Sequence, residues 1–252
     1  MTPNESFRLS GRVSVVTGAA GGLGAAIAER LAAEGSVVAA LDLQVADEVA
    51  AGAGPGRIVP WECDVTDSDR VRQVVGEVVA AFGGVDVLVN NAGILTGRAS
   101  LLEATPEELH RIFAVNAVGA LTMVQACHSS LKASAYRGRI VNVASRTFFT
   151  GAPGQIAYVA SKGALVGMTR VMAREFGPDR ITVNTVMPAQ VATPGTRAHS
   201  TDDVFARTMS QQAIPEFVTP EHFAGVVAFL ASPDAVLITG QSMVCDGGGL
   251  LR

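Results

Sequence analysis

The sequence predicts an α/β fold: one domain over residues 1–252, built on a doubly wound parallel sheet of about seven strands with helices on both faces. Three observations carry this. Short runs rich in Val and Ile alternate along the chain with longer Ala-rich runs. Parallel neighbours need a crossover, and a helix is the usual one, so this alternation argues for a parallel sheet. A cluster of glycines, Gly18, Gly21, Gly22 and Gly24, stands between the first strand-like run and the first helical one. No low-complexity linker or internal repeat divides the chain.

The elements follow in order. Residues 12–16 read as the first strand and 22–34 as the first helix. Residues 36–41 and 57–62 form the second and third strands, a helix spans 67–82, and the fourth strand is 85–90. Thr105-Pro106-Glu107-Glu108 marks a helix start, with a capping hydroxyl, proline in the first turn and acids at the positive dipole end. That helical region continues towards Lys132, bent near Val118-Gly119. Residues 139–144 are the fifth strand, 155–176 a long helix, 181–186 the sixth strand, 220–231 a helix and 242–245 the last strand. Between Pro188 and Pro215 the chain is rich in Thr, Ala and Ser, and only 201–212 has helical character. A long irregular stretch in a compact domain is usually functional, and here it predicts a substrate lid near 190–215.

Composition excludes several roles. The net charge of −4, from 19 basic and 23 acidic residues with no like-charge block, argues against a nucleic-acid footprint. The chain is 48% hydrophobic, but its Ala and Val are spread out, and no run of uncharged apolar residues suggests a membrane span. Residues 1–10 carry Glu5 and Arg8 and lack the apolar core of a signal peptide. Cys63, Cys127 and Cys245 are odd in number and far apart, which predicts neither a disulfide framework nor a metal site and fits a reducing cytoplasm. His110, His128, His199 and His222 show no ligand spacing.

The glycine cluster predicts an anion site. Glycines allow a tight turn and close approach of backbone N–H groups to a pyrophosphate, and the next helix presents its positive end to that anion. Asp42 closes the second strand. A carboxylate there accepts hydrogen bonds from the ribose hydroxyls of NAD and repels a 2′-phosphate. Ala19, Ala20, Leu43 and Gln44, the neighbouring positions, are not basic, which predicts NAD over NADP. Further along, Tyr158 and Lys162 lie one helical turn apart and share a face. A cation beside a phenol favours the phenolate, making a base of an inert side chain.

Taken in order, Thr17-Gly18-Ala19-Ala20-Gly21-Gly22-Leu23-Gly24, Asn90-Asn91-Ala92-Gly93, Ser145 and Tyr158 with Lys162 resemble the short-chain dehydrogenase/reductase family, in its NAD-preferring branch, over nearly the whole chain. The resemblance implies a Rossmann-type fold in which Gly18, Gly22, Leu23 and Gly24 cradle the pyrophosphate, Asp64 and Val65 meet the adenine, and Asn91, Ala92 and Gly93 line the adenine-ribose side. It implies Tyr158 as acid/base, Lys162 as its partner and ribose clamp, Ser145 as holder of the substrate oxygen, and Asn116 as anchor of a water linked to Lys162. Pro188-Ala189-Gln190-Val191-Ala192-Thr193-Pro194 is similar to the family's nicotinamide segment, implying cofactor contacts from Pro188, Val191 and Thr193. Ala189 stands there in place of the usual glycine, a costly exchange if φ is positive. A homotetramer is also implied.

The substrate wall is expected from Leu95, residues 146–149, Gln155, Gln190 and the lid, around Ser145 and Tyr158. Phe148 and Phe149 read either as an apolar wall or as core, and Arg146 either as a binder of a substrate anion or as half of a salt bridge. The expected activity is interconversion of an alcohol and a ketone or aldehyde on a small, mostly apolar or aromatic substrate, with NAD. The alternative is a 3-oxoacyl-acyl-carrier-protein reductase, which generally takes NADPH and docks an acidic carrier.

Overall fold

The computed structural model describes residues 7–44, 54–95, 98–198 and 200–251. Residues 1–6, on which most of the reading of the chain start rests, and His199 lie outside them.

Seven strands form one parallel sheet in the order β3-β2-β1-β4-β5-β6-β7. They are β1 Val13–Thr17, β2 Val37–Asp42, β3 Arg57–Glu62, β4 Val87–Asn90, β5 Arg139–Val143, β6 Thr182–Pro188 and β7 Ser242–Cys245. The larger helices are α1 Gly22–Ala33, α2 Ser68–Phe82, α3 Pro106–Phe113, α4 Gly119–Ala133, α6 Ile156–Phe176 and α9 Pro220–Ala231. Strand residues alternate between the two faces, as the pleat requires. Val16, Val87, Val89, Val141 and Val143 pack with Ile27 and Leu31 of α1 and Phe223 and Val227 of α9. Val15, Leu88, Ile140 and Val183 pack on the other face with Val71, Val74 and Val78 of α2 and Met123, Cys127 and Leu131 of α4. Both faces are covered, so the central strands read as nearly continuous apolar runs.

Helix ends obey local chemistry. Asp67 caps α2 by accepting from the N–H groups of Asp69 and Arg70, both at 3.0 Å, and Gly83 (φ 87°) closes it in the left-handed region. Thr105 caps α3 with Pro106 in its first turn, as the sequence predicts. The irregularity expected near Val118-Gly119 is present, centred slightly upstream. Residues Ala114–Val118 form a π-helical turn between α3 and α4, upstream of Gly119. Its cause is tertiary: buried Asn116 accepts from Ile94 N–H at 2.7 Å and donates to Ile94 O at 3.0 Å and Ser161 Oγ at 3.1 Å. The continuous stretch Pro106–Ala133 is long and apolar enough by length and composition to cross a membrane, but its apolar face packs on the sheet as a core helix does.

The 188–215 segment is more structured than its composition suggests. It holds α7 Pro194–Arg197 and α8 Asp202–Ser210, and α5 Thr147–Thr150 is likewise an unanticipated short helix.

Candidate active site

Strand order reverses between β1, followed on one side by β2, and β4, followed on the other by β5. At such a switch point the connections leave in opposite directions, opening a crevice at the carboxyl ends of the strands. The glycine turn after β1, Asn91–Gly93 after β4, Ser145 after β5 and the segment after β6 all emerge on that edge.

Gly18 (φ 65°) and Gly22 (φ 58°) take left-handed conformations. A Cβ on Gly24 would stand 1.9 Å from the Gly18 carbonyl oxygen, so only glycine lets α1 start this close to the turn. Asn91 donates through Nδ2 to Thr17 O at 3.0 Å and Gly18 O at 2.9 Å, and Thr17 Oγ1 accepts the N–H groups of Asn91 (3.1 Å) and Ala92 (3.0 Å). These bonds fasten β4 to the turn after β1. The start of α1 has no side-chain cap and no acid in its first turn, leaving its N–H groups and dipole available to an anion. Leu23 packs beneath the turn against Ala189, Val191 and Val218.

Asp42 ends β2 beside this turn. Its carboxylate accepts from Ala20 N–H at 2.8 Å and Leu43 N–H at 2.7 Å, and Leu43 itself is exposed. Asp64 is exposed, accepting from Thr66 N–H (2.8 Å) and Oγ1 (2.7 Å). Val65 is buried, filling the space a side chain on Gly119 would need: a Cβ there would meet Val65 Cγ2 at 2.7 Å.

Ser145, Tyr158 and Lys162 converge, with Asn116 and Gly93 behind them. Tyr158 is half-buried and hydrogen-bonds Ser145, which lies at the end of β5. Lys162 is buried, donates to Val143 O at 2.8 Å, and holds its Nζ 5.8 Å from the Tyr158 ring centroid. A Cβ on Gly93 would stand 3.2 Å from both Lys162 Nζ and Asn116 Oδ1, so the bare backbone there lets these groups meet.

The electrostatics differ from the expectation that Lys162 lowers the Tyr158 pKa. Burial pushes Tyr158 above its ordinary value, and its bond with Ser145 opposes this. Lys162 is itself pulled down to about 8 by desolvation.

Beyond β6, Ala189 N–H donates to Cys245 O at 3.0 Å. Among the described residues only Arg137 and Arg180 are non-glycine residues with positive φ, so Ala189 is unstrained, and the expected cost of losing a glycine does not arise. Pro188 ends the strand, Val191 is buried, and Thr193 stands across from Gly22, 3.4 Å from the position of a Cβ there. Thr196 Oγ1 donates to Val191 O at 2.5 Å and Gln190 Nε2 to Ser200 Oγ at 2.5 Å, tying this segment to itself.

On the substrate side, Leu95 is half-buried and Gln155 is buried at the start of α6. Phe148 lies over Gly163, and Phe149, 4.7 Å from it between ring centroids, packs on a core group including Leu165 and Met187. Arg146 pairs with Asp246 at 3.2 Å, where both side chains are largely buried, so the salt-bridge reading holds. Thr147 is expected from the sequence only as part of the 146–149 wall, and its bond to Ser145 is not: its hydroxyl donates to Ser145 Oγ at 2.8 Å and its N–H at 3.2 Å, contacts created by the α5 turn. Among the described residues no group of three or more His, Cys, Asp or Glu side chains is placed to hold a metal ion.

Comparison with known proteins adds to this geometry. A family model described as Enoyl-(Acyl carrier protein) reductase matches residues 18–249. The chain is 37% identical over 246 residues to a 3-oxoacyl-[acyl-carrier-protein] reductase of Thermotoga maritima, covering 96% of this chain and 99% of that protein. It is 37% identical over 252 residues to a D-threitol dehydrogenase of Mycolicibacterium smegmatis (98% and 95% covered) and 36% identical over 244 residues to a meso-2,3-butanediol dehydrogenase of Serratia marcescens (96% of each). A solved double mutant of a Serratia marcescens short-chain dehydrogenase/reductase superposes with a TM-score of 0.85 at 34% identity, covering 96% of this chain and 99% of that one.

Proposed function

The chain belongs to the short-chain dehydrogenase/reductase family, and within it we propose an NAD-dependent oxidoreductase that interconverts a small alcohol with its ketone or aldehyde. The family uses a nicotinamide cofactor, NAD or NADP. The residues present fit one: Gly18, Gly22 and Gly24 leave a side-chain-free cradle at the uncapped start of α1. Leu23, Asn91, Ala92 and Gly93 support that cradle, Asp64 and Val65 flank the adenine end, and Pro188, Val191 and Thr193 border the nicotinamide end.

The observation that carries the choice of NAD is Asp42, a carboxylate held beside the cradle by Ala20 N–H. It suits the ribose diol and opposes a phosphate. An NADP site needs a cation nearby, and Leu43 occupies that position exposed and apolar.

When bound, the cofactor supplies the hydride acceptor or donor. The chain's own residues manage the substrate's oxygen and its proton. Ser145 donates to that oxygen, and Tyr158 takes the hydroxyl proton in oxidation or returns it in reduction. Lys162, buried and pulled down to about 8, clamps the ribose and lies on the proton's route past Asn116. Phe148, Gln155 and Gln190 bound the substrate space, with the 190–215 segment as its lid. This accounts for a small, mostly apolar or aromatic substrate.

The whole chain is read as one catalytic domain, cytoplasmic, acting as a homotetramer. Val118 and Val171, both more than half exposed near α4 and on α6, fit a subunit contact. Oxidation rates over a panel of diols, secondary alcohols and aromatic alcohols, with NAD and NADP in parallel, test the reading. NAD-linked turnover that disappears in Tyr158→Phe supports it. An active, folded Tyr158→Phe protein sinks the assignment of Tyr158.

The likeness to a 3-oxoacyl-[acyl-carrier-protein] reductase keeps a second reading in view. A large gain in NADPH-linked rate for a carrier-bound 3-oxoacyl substrate over the free ketone favours it.

A further inference from the structure

The hydroxyl of Ser145 has two acceptor lone pairs and one hydrogen. Thr147 takes both lone pairs: its N–H donates to Ser145 Oγ at 3.2 Å and its Oγ1–H at 2.8 Å. The one remaining capability of Ser145 is to donate, and the partner in reach is Tyr158.

We infer that Thr147 is a positioning residue that fixes the polarity of a Thr147→Ser145→Tyr158 hydrogen-bond relay, so that the single hydrogen of Ser145 goes to the tyrosine oxygen in the free protein and to the substrate oxygen when substrate is bound, and Ser145 accepts from neither. The inference rests on the proposed reaction for its catalytic meaning, but the polarity itself follows from the geometry. A reacting alcohol oxygen becomes more negative as it gives up its proton to Tyr158. A group restricted to donating stabilises that charge, whereas a freely rotating serine spends part of its time as an acceptor. Chains of aligned hydrogen bonds also polarise one another, so the Thr147 donor strengthens the Ser145 donor beyond it.

The charged surroundings leave this relay as the adjustable influence on Tyr158. Lys162, on the same helix, is bonded to Val143 O. Arg146, from the β5–α5 turn, is paired with Asp246, and Arg197, from the segment after β6, with Asp202. The backbone at Gly93 adds no charge.

The chain has only two tyrosines, so a Tyr136→Phe background, remote from the crevice, isolates Tyr158 in a near-ultraviolet phenolate titration. In that background, Thr147→Val keeps the branched shape and the N–H but removes the second donor, and Thr147→Ser restores it. The expected result for Thr147→Val is an upward move of the Tyr158 ionisation, a matching shift of the alkaline rise in kcat for alcohol oxidation, and a loss of about tenfold in kcat. Cofactor affinity stays unchanged and Thr147→Ser returns all three. An unchanged ionisation and pH profile in Thr147→Val overturns the inference, even if the variant is less stable, because a purely structural threonine moves stability alone. A shifted ionisation in a protein whose wild type shows no nicotinamide-linked turnover keeps the relay and rejects the proposed reaction.

Discussion

The carboxylate of Asp42 accepts the backbone N–H of Ala20 at 2.8 Å, so the end of β2 and the turn after β1 are held in a fixed relation. One oxygen of the carboxylate is spent on the turn and the other on Leu43 N–H, and each retains a further lone pair on its exposed side. In the proposed function, its place beside the glycine cradle makes it the group that discriminates between NAD and NADP.

Asp42→Ala therefore weakens NADH binding by about 1.5–3 kcal/mol, or roughly 10–150-fold, the worth of hydrogen bonds to a charged group. NADPH binding improves or stays level, because a repulsive charge is gone. Isothermal titration of both nucleotides reads the two effects separately.

Gly24→Ala places a Cβ 1.9 Å from a backbone oxygen, and neither backbone can yield without opening the turn. A loss of about 3 kcal/mol or more in stability is expected by denaturant unfolding. Gly21→Ala is the control. Its Cβ meets nothing within 4 Å and its φ of −169° is ordinary extended backbone, so its stability stays within about 0.5 kcal/mol of wild type.

Asp246 accepts from Arg146 and from the N–H groups of Gly248 and Gly249 at 3.1 and 3.2 Å, joining the turn after Ser145 to the C-terminal turn. Asp246→Ala strands a largely buried guanidinium and should cost about 3–5 kcal/mol, whereas replacing both partners with apolar residues costs much less. A double-mutant cycle measured by chemical unfolding distinguishes the two.

Lys162 gives a pH dependence whose sign is set by desolvation. Its folded pKa is about 8, down from 10.5, so between these values the unfolded chain holds the proton and the folded chain does not. Stability contributed by Lys162 therefore rises as pH climbs through that window, by on the order of 3 kcal/mol. Cys63, Cys127, Cys245 and Tyr158 are shifted upward by burial and lose stability at alkaline pH, so the measurable quantity is a difference. The unfolding free energy of wild type minus that of Lys162→Met should grow from pH 8 towards 10.5; a flat difference contradicts the assignment.

Much of this was legible in the sequence because it is local. Val/Ile runs, the Thr105–Pro106 start and the glycine spacing each carry their physics within a few residues. Strand ends moved by a residue or two, as with Thr17 joining β1 and Pro188 joining β6. Contacts between distant segments were not readable. The π turn arises because Asn116 must reach Ile94 and Ser161, which no helical pattern encodes. Phe149 and Arg146 found partners in Leu165, Met187 and Asp246, settled by how α5 folds back after β5. The Lys162–Val143 bond likewise depends on the β5–α6 packing, and so does the burial that raises the Tyr158 pKa.

The central claim is that Asp42 selects NAD, and it is tested most directly by titrating NADH and NADPH into the protein at matched ionic strength, following nucleotide fluorescence. NADH binding at least tenfold tighter than NADPH, with the gap closing in Asp42→Ala, is the predicted result. Equal or tighter NADPH binding contradicts it and moves the carrier-protein reductase reading into first place.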